Sequence, residues 1–325
     1  MLGFVLQRGL QSLLVIAAMS VIVFLGVFAI GNPIDVLIDP AADQATRARL
    51  ITQYGFDLPL HLQYFRFIGN LAQGDLGQSF IYRVPVLPLI LTRLPATFEL
   101  ALSAMLIATL FGIPLGLWAG YRPNAASSRL IMAGSTIGFS VPTFWVGLLL
   151  ILAFAVELRW LPSGGRGEVG EFLWIRSSAF TSNGLSHLVL PALNLSLFKL
   201  GLLIRLTRAG TQEVLQSDFV RFARAQGLRE REIIRLHVLK NISIPIVTVF
   251  GLEFGSTLAF AVVTETIFNW PGMGKLIIDS IAVLDRPVMV AYLILVVVLF
   301  VAINLAVDLL YGRLDPRIRA RSSLA

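Results

Sequence analysis

The chain has 325 residues, 56% of them hydrophobic and only 14% charged, and its mean hydropathy is +0.81. Soluble domains carry roughly 25% charged residues, so this balance excludes a soluble globular protein and places the chain in a bilayer. The absence of cysteine excludes disulfides and thiolate chemistry, and His61, His187 and His237 are too far apart in sequence to pair as ligands; neither metal nor cofactor is expected.

Six apolar runs follow in chain order, at residues 10–30, 97–119, 130–156, 188–204, 246–268 and 288–311. Each can cross ~30 Å of hydrocarbon as a helix, the fourth with Arg205 and Arg208 reaching back to the surface. The expected fold is therefore an all-α polytopic membrane protein with six transmembrane helices. The first run has Arg8 before it and Gly31-Asn32-Pro33 after it, without a small-residue cleavage site, and reads as a retained helix. Residues 31–96 are too long for a simple connection. Helical periodicity at 45–54 and 60–71, a turn at Gly74-Asp75-Leu76-Gly77 and breakers at Pro85, Pro88 and Pro95 predict a small helical cap. The expected organisation is a tail and first helix (1–30), this cap (31–96), a five-helix core (97–311) and a tail (312–325).

Charge sets the orientation. With the amino terminus inside, the cytosolic segments 1–9, 120–129, 205–245 and 312–325 hold 15 Lys and Arg in 74 residues, against 10 in 116 for the opposite segments. Both termini are expected in the cytosol. The net charge of +7 is then a topology signal and not a nucleic-acid patch.

The polar segment 205–245 is the most patterned part of the chain. Residues 213–227 suit a helix that stops at Gly227; residues 229–239 restart one, and Pro245 marks the entry to the next span. Ala223 and Ala225 would allow close approach by another protein. Two readings fit the physics equally: a docking element, or an interfacial helix that binds anionic lipid.

Resemblance separates them. Ala223-Arg224-Ala225-Gln226-Gly227, His237-Val238-Leu239-Lys240-Asn241-Ile242 and Ile244-Pro245 resemble the cytosolic loop of ABC-importer permeases of the dipeptide/oligopeptide/nickel group. Arg221-Phe222-Ala223 stands where the general pattern has Glu-Ala-Ala, and the spacing from Gly227 to Ile242 is longer; both are features of that group. Gly74-Asp75-Leu76-Gly77-Gln78-Ser79, the stretch Thr264-Glu265-Thr266-Ile267-Phe268-Asn269-Trp270-Pro271-Gly272-Met273-Gly274, and Asn304 onward through Asp308, Tyr311 and Asp315-Pro316-Arg317 resemble further signatures of its first permease subunit. The resemblance implies a type I ABC-importer permease in a bacterial inner membrane. It implies a heterodimer with a second permease, two cytosolic ABC ATPase subunits and an extracytoplasmic solute-binding protein. The ATPase-coupling residues would be Asp218, Arg221, Ala223, Arg224, Ala225, Gly227, Leu228, Arg229, His237, Asn241 and Pro245. Dipeptides or oligopeptides are the expected cargo; nickel chelates, glutathione and other small solutes are the alternatives within the family.

No enzymatic activity is expected. Gly272-Met273-Gly274-Lys275 looks like a phosphate loop, but Leu276 stands where Ser or Thr is needed and Asn269 where the first glycine is needed; it reads as a tight turn before a helix. Gly138-Phe139-Ser140-Val141-Pro142 lacks the second glycine of a nucleophile elbow. Charges within spans are costly. Glu99 and Glu265 are read as reaching water at outer ends, and Asp308 as lying near Arg313. Lys199 and Glu253 lie deeper, either as a structural pair or facing a translocation pathway, for which Glu265 is a third candidate. An ion-coupled secondary transporter using Lys199 and Glu253 is the rival to an ATP-driven importer. Glycines at 112, 116, 120, 251 and 255 offer close-packing faces, within the chain or toward a partner.

Overall fold

The computed structural model describes residues 2–29, 43–54 and 57–314. Gly31-Asn32-Pro33 and Asp315-Pro316-Arg317 lie outside these residues. The first helix, α1 (Leu2–Ala29), is followed by α2 (Gln44–Tyr54) and α3 (Leu60–Ala72), close to the periodicity read in the sequence. Gly74 and Gly77 both turn with φ of +76°.

Helix α4 (Val86–Tyr121) starts well before residue 97. Pro85 precedes its first residue and Pro88 lies in its first turn, where no intrahelical N–H bond is lost. These prolines start the helix; they do not break the chain. Pro95 and Pro114 lie inside it.

The third apolar run is not one straight span. It forms α5 (Ala126–Ser140) and α6 (Thr143–Leu150), the latter continuing as a π-helical turn at Ile151–Glu157, and the two halves bend by 105°. Pro142 is the cause: it cannot donate an N–H, and it holds Val141 extended, at φ −84° and ψ 133°. Among the described residues five helices are each long and apolar enough to cross a membrane, or six if the bent pair is one span.

A short hairpin, β1 (Gly170–Phe172) and β2 (Ile175–Ser177), leads to the long α7 (Ser182–Leu215). Its turn residues Leu173 and Trp174 both have positive φ, and Trp174 is 89% exposed. Thr181 caps α7 by accepting from the Gly184 N–H at 2.9 Å. Then come α8 (Asp218–Ala225), α9 (Glu230–Phe260), α10 (Val262–Ile267), α11 (Met273–Ala282) and α12 (Arg286–Leu314). Pro245 lies within α9 and terminates nothing. The fifth run likewise splits, α10 being separate from α9.

The core is a glycine seam. Gly112, Gly116 and Gly120 of α4 face Leu203, Thr207 and Thr211 of α7, and a Cβ on Gly116 would meet Thr207 Cβ at 2.6 Å. Dispersion between backbones this close drives helix association where lipid removes the hydrophobic force. Gly251 and Gly255 of α9 similarly admit Val307 and Phe300 of α12. Both glycine faces thus serve packing inside the chain. Helix α1 lies on α12, with Arg8 Nε 3.4 Å from Asp308; the side chain of Arg313 lies outside the described residues.

Candidate functional site

Segment 205–245 is built from the end of α7, all of α8 and the start of α9. Helix α7 stops at Leu215, and Asp218 opens α8, where a carboxylate favours the positive end of the helix dipole. Helix α8 carries two interleaved pairs at i,i+3 spacing. Val220 and Ala223 are buried against Ile233, Val214, Leu215 and Leu228. Phe219 and Phe222 point outward, and Phe222 is 64% exposed. Ala223 is only 4% exposed, so its small side chain serves packing within this chain. Ala225, Asp218, Arg221 and Arg229 are exposed.

Gly227 ends α8 in the left-handed region at φ +82°. The Leu228 N–H donates to Ala223 O at 3.2 Å and the Gly227 N–H to Arg224 O at 3.0 Å. These are the two bonds of a Schellman stop, with Leu228 packing back on the Ala223 side. Arg224 then reaches across the turn to Glu230, its Nε 2.8 Å from Oε1 and its other guanidinium contact at 3.3 Å. The hydrogen bond and charge of Glu230 hold the Arg224 guanidinium pKa above its ordinary value. Glu232 Oε2 accepts from the Arg229 N–H at 2.9 Å, capping α9. The Asp218–Arg221 pair is almost fully solvated and adds little.

A π-helical turn at Ile233–Val238 sets the face of α9. In an α-helix residues five apart diverge by roughly 140°, yet Ile233 and Val238 are both fully buried. The wider turn brings them into one inward stripe with Ile242 and Ile246. His237 lies in this turn with its ring 5.9 Å from Phe219, and Asn241 Nδ2 donates to His237 O at 2.7 Å. The structure thus gathers Arg224, Gly227, Leu228, Arg229, His237 and Asn241 around one short helix; Pro245 lies further along α9, exposed. Sequence reasoning missed Phe219 and Phe222 as an exposed pair, although their i,i+3 spacing opposite Val220 and Ala223 was visible.

The membrane-depth charges divide into two kinds. Lys199 Nζ pairs with Glu253 Oε2 and donates to Ser256 Oγ at 3.1 Å, so the pair joins α7 to α9. Glu265 is fully buried and neither reaches water nor faces an open pathway, contrary to expectation. Its Oε1 accepts from Thr97 Oγ1 at 2.6 Å and its Oε2 from the Lys275 N–H at 2.9 Å. The carboxylate therefore occupies the amino end of α11, and a Cβ on Gly272 would overlap it. The place a phosphate would take in a nucleotide loop is filled by the chain's own side chain. Glu99 is also buried, accepting from Arg166 Nε at 3.0 Å and from the Ser178 N–H at 2.8 Å. Asp285 is held in the same manner by Ser79 Oγ and the Phe80 N–H, tying the turn after Gly77 to the start of α12.

Residues 112–320 match the family described as binding-protein-dependent transport system inner membrane component. The chain belongs to this family. The di/tripeptide transport system permease protein DppB of Pseudomonas aeruginosa is 41% identical over 302 residues, covering 89% of this chain and 90% of that protein. The oligopeptide transport system permease protein AppB of Bacillus subtilis is 37% identical over 98% of this chain and 99% of its own length. The glutathione transport system permease protein GsiC of Escherichia coli K12 is 38% identical with the same coverage. A chain of the MetNI methionine ABC transporter, solved in inward-facing conformations, has the same fold, with a TM-score of 0.54 at 16% identity over 70% of this chain and 96% of that one. The protein is thus a multi-pass inner-membrane permease of a binding-protein-dependent ABC importer, a family whose ATPase resides in separate subunits.

Proposed function

We propose that this chain forms half of the translocation pathway for di- or oligopeptides, beside a second and different permease. In this reading α8 lies in the cytosol with both termini, and seats in a groove on an ABC ATPase subunit. Nucleotide-driven closure moves α8, and the rigid Schellman turn and Arg224–Glu230 clamp pass that motion into α7 and α9. An extracytoplasmic binding protein delivers the peptide at the opposite end. The chain hydrolyses no ATP.

The observation that carries the reading is the outward aromatic pair Phe219 and Phe222 on a helix whose inner face is locked to the bundle. Two exposed rings on so polar a helix are what a helix-in-groove contact uses as anchors. The peptide cargo rests on the likeness to DppB and AppB.

The test is uptake of labelled dipeptide by proteoliposomes holding the complete importer. Uptake should require ATP and the binding protein and should survive collapse of the proton gradient. Uptake that persists without ATP and fails with the gradient would overturn the proposal in favour of an ion-coupled carrier.

A further inference from the structure

Lys199 lies in the middle of the 34-residue α7, about 25 Å from either end at 1.5 Å per residue. Its ion pair with Glu253 is therefore at hydrocarbon depth. Yet the two side chains remain 12% and 23% exposed in this chain. A charge at that depth does not face lipid tails, so the surface bearing it meets either a partner subunit or water.

The unused bonding capacity shows what chemistry that surface can take. Glu253 accepts through Oε2 alone, from Lys199 and from Ser256 Oγ at 3.3 Å. Among the described residues, Oε1 receives no hydrogen bond. Lys199 spends two donors, on Glu253 and Ser256, and an ammonium has three. The group thus offers one free acceptor and one free donor, side by side. An aromatic ring flanks the Lys199 charge. Phe198 lies 5.3 Å from the Lys199 ammonium and stacks at 4.4 Å on Phe139, beside the bend of the third span. Phe254, next to Glu253, meets Phe98 edge-on at 5.2 Å.

We propose that Lys199, Glu253 and Ser256 form a substrate subsite in the translocation pathway that takes the two backbone charges of a small zwitterionic peptide. The peptide ammonium pairs with Glu253 and its carboxylate with Lys199, while Phe198 and Phe139 accept apolar side chains. The internal pair opens as the peptide ends replace it, so no charge is left uncompensated at any stage. Opening the internal pair and desolvating the two peptide charges offset the two pairs formed, so the contact holds cargo only weakly, as passage requires. This rests on the peptide reading above.

The chain has no cysteine, so Ser256→Cys and Leu252→Cys each introduce a sole thiol in this subunit, the latter at an exposed position one turn away. Within the complete importer, a membrane-impermeant methanethiosulfonate should modify both in at least one nucleotide state. Saturating dipeptide delivered by the binding protein should slow modification on the order of tenfold. Lys199→Gln and Glu253→Gln should each lower uptake per assembled complex on the order of tenfold. Failure of the reagent to modify either thiol in any nucleotide state, or modification indifferent to peptide, would overturn the subsite. So would full uptake by the exchange variant Lys199→Glu/Glu253→Lys without peptide protection at Ser256→Cys, the behaviour of a merely structural pair. Absence of peptide uptake by the unsubstituted importer would overturn the peptide reading and the ligand named here, while thiol labelling would still decide whether this face lines the pathway.

Discussion

Thr97 Oγ1 donates to Glu265 Oε1 at 2.6 Å and accepts from the Met273 N–H at 2.8 Å, joining groups 168 and 176 residues apart in sequence. One hydroxyl therefore links α4, α10 and the first turn of α11. Trp270 closes the same junction by donating Nε1 to Ala96 O at 2.9 Å. The stretch from Glu265 to Gly274 is a structural lock, which explains why it holds an acid and two glycines together.

If so, Thr97→Val should destabilise the chain by about 1–3 kcal/mol, because it leaves a buried carboxylate oxygen and an N–H without their partner. Gly272→Ala should cost about as much or more through overlap with Glu265. Both are read as a lower thermal midpoint of the detergent-solubilised protein, followed by intrinsic tryptophan fluorescence, in which Trp270 is the buried ring among five. An unshifted midpoint for both variants would show that the lock carries no stability.

Much of the architecture was legible before any coordinates. Runs of apolar residues marked the spans, and the positive φ at Gly227 was foreshadowed by its place between two helical stretches. What sequence could not give was which face of each element is occupied. Ala223 looked like a docking contact because small residues permit close approach, but its neighbour turned out to be Ile233 in the same chain. Glu265 looked like an outer-end charge because its partners, Thr97 and Lys275, are unreadable from local spacing. The bend at Pro142 was visible as a proline, while its 105° angle depends on packing against α7 and α10.

The two faces of α8 make opposite predictions. Phe222→Ala removes an exposed ring and should leave the thermal midpoint within about 0.5 kcal/mol of the parent's stability. It should, however, abolish most of the ATPase stimulation by loaded binding protein. Ala223→Leu overpacks a buried position and should lower stability by about 1–3 kcal/mol. Stimulation that survives Phe222→Ala would remove this ring from the contact with the ATPase.

Gly227 separates backbone from steric effects. Nothing lies within 4 Å of a Cβ built there, so a substitution acts only through the left-handed conformation. Gly227→Ala should cost about 1 kcal/mol, Gly227→Asn less, and Gly227→Val most. Coupling efficiency, measured as peptide imported per ATP hydrolysed, should fall in the order Asn, Ala, Val. A flat series would show that the turn need not be rigid.

Glu99 offers a test at the opposite end of the bundle from α8. It holds Arg166 at 2.5 Å and the backbone of Ser178 and Ala179, pinning the segment that contains the β1–β2 hairpin to α4. Removing one partner of such a buried pair costs about 3–5 kcal/mol, chiefly because the other charge stays desolvated. Glu99→Gln should therefore release the hairpin before it unfolds the helices. Limited trypsin digestion should cut the variant at Arg159, Arg166 or Arg176 well before the parent, with the glycine seam of α4 and α7 left intact. The double variant Glu99→Gln/Arg166→Gln, compared at Arg159 and Arg176 because it lacks the site at 166, should recover part of the loss, since it strands no charge. Equal protease resistance of all three proteins would mean that the hairpin is held by its own β-pairing and by Phe172 against Phe180, and that Glu99 contributes only to local charge balance.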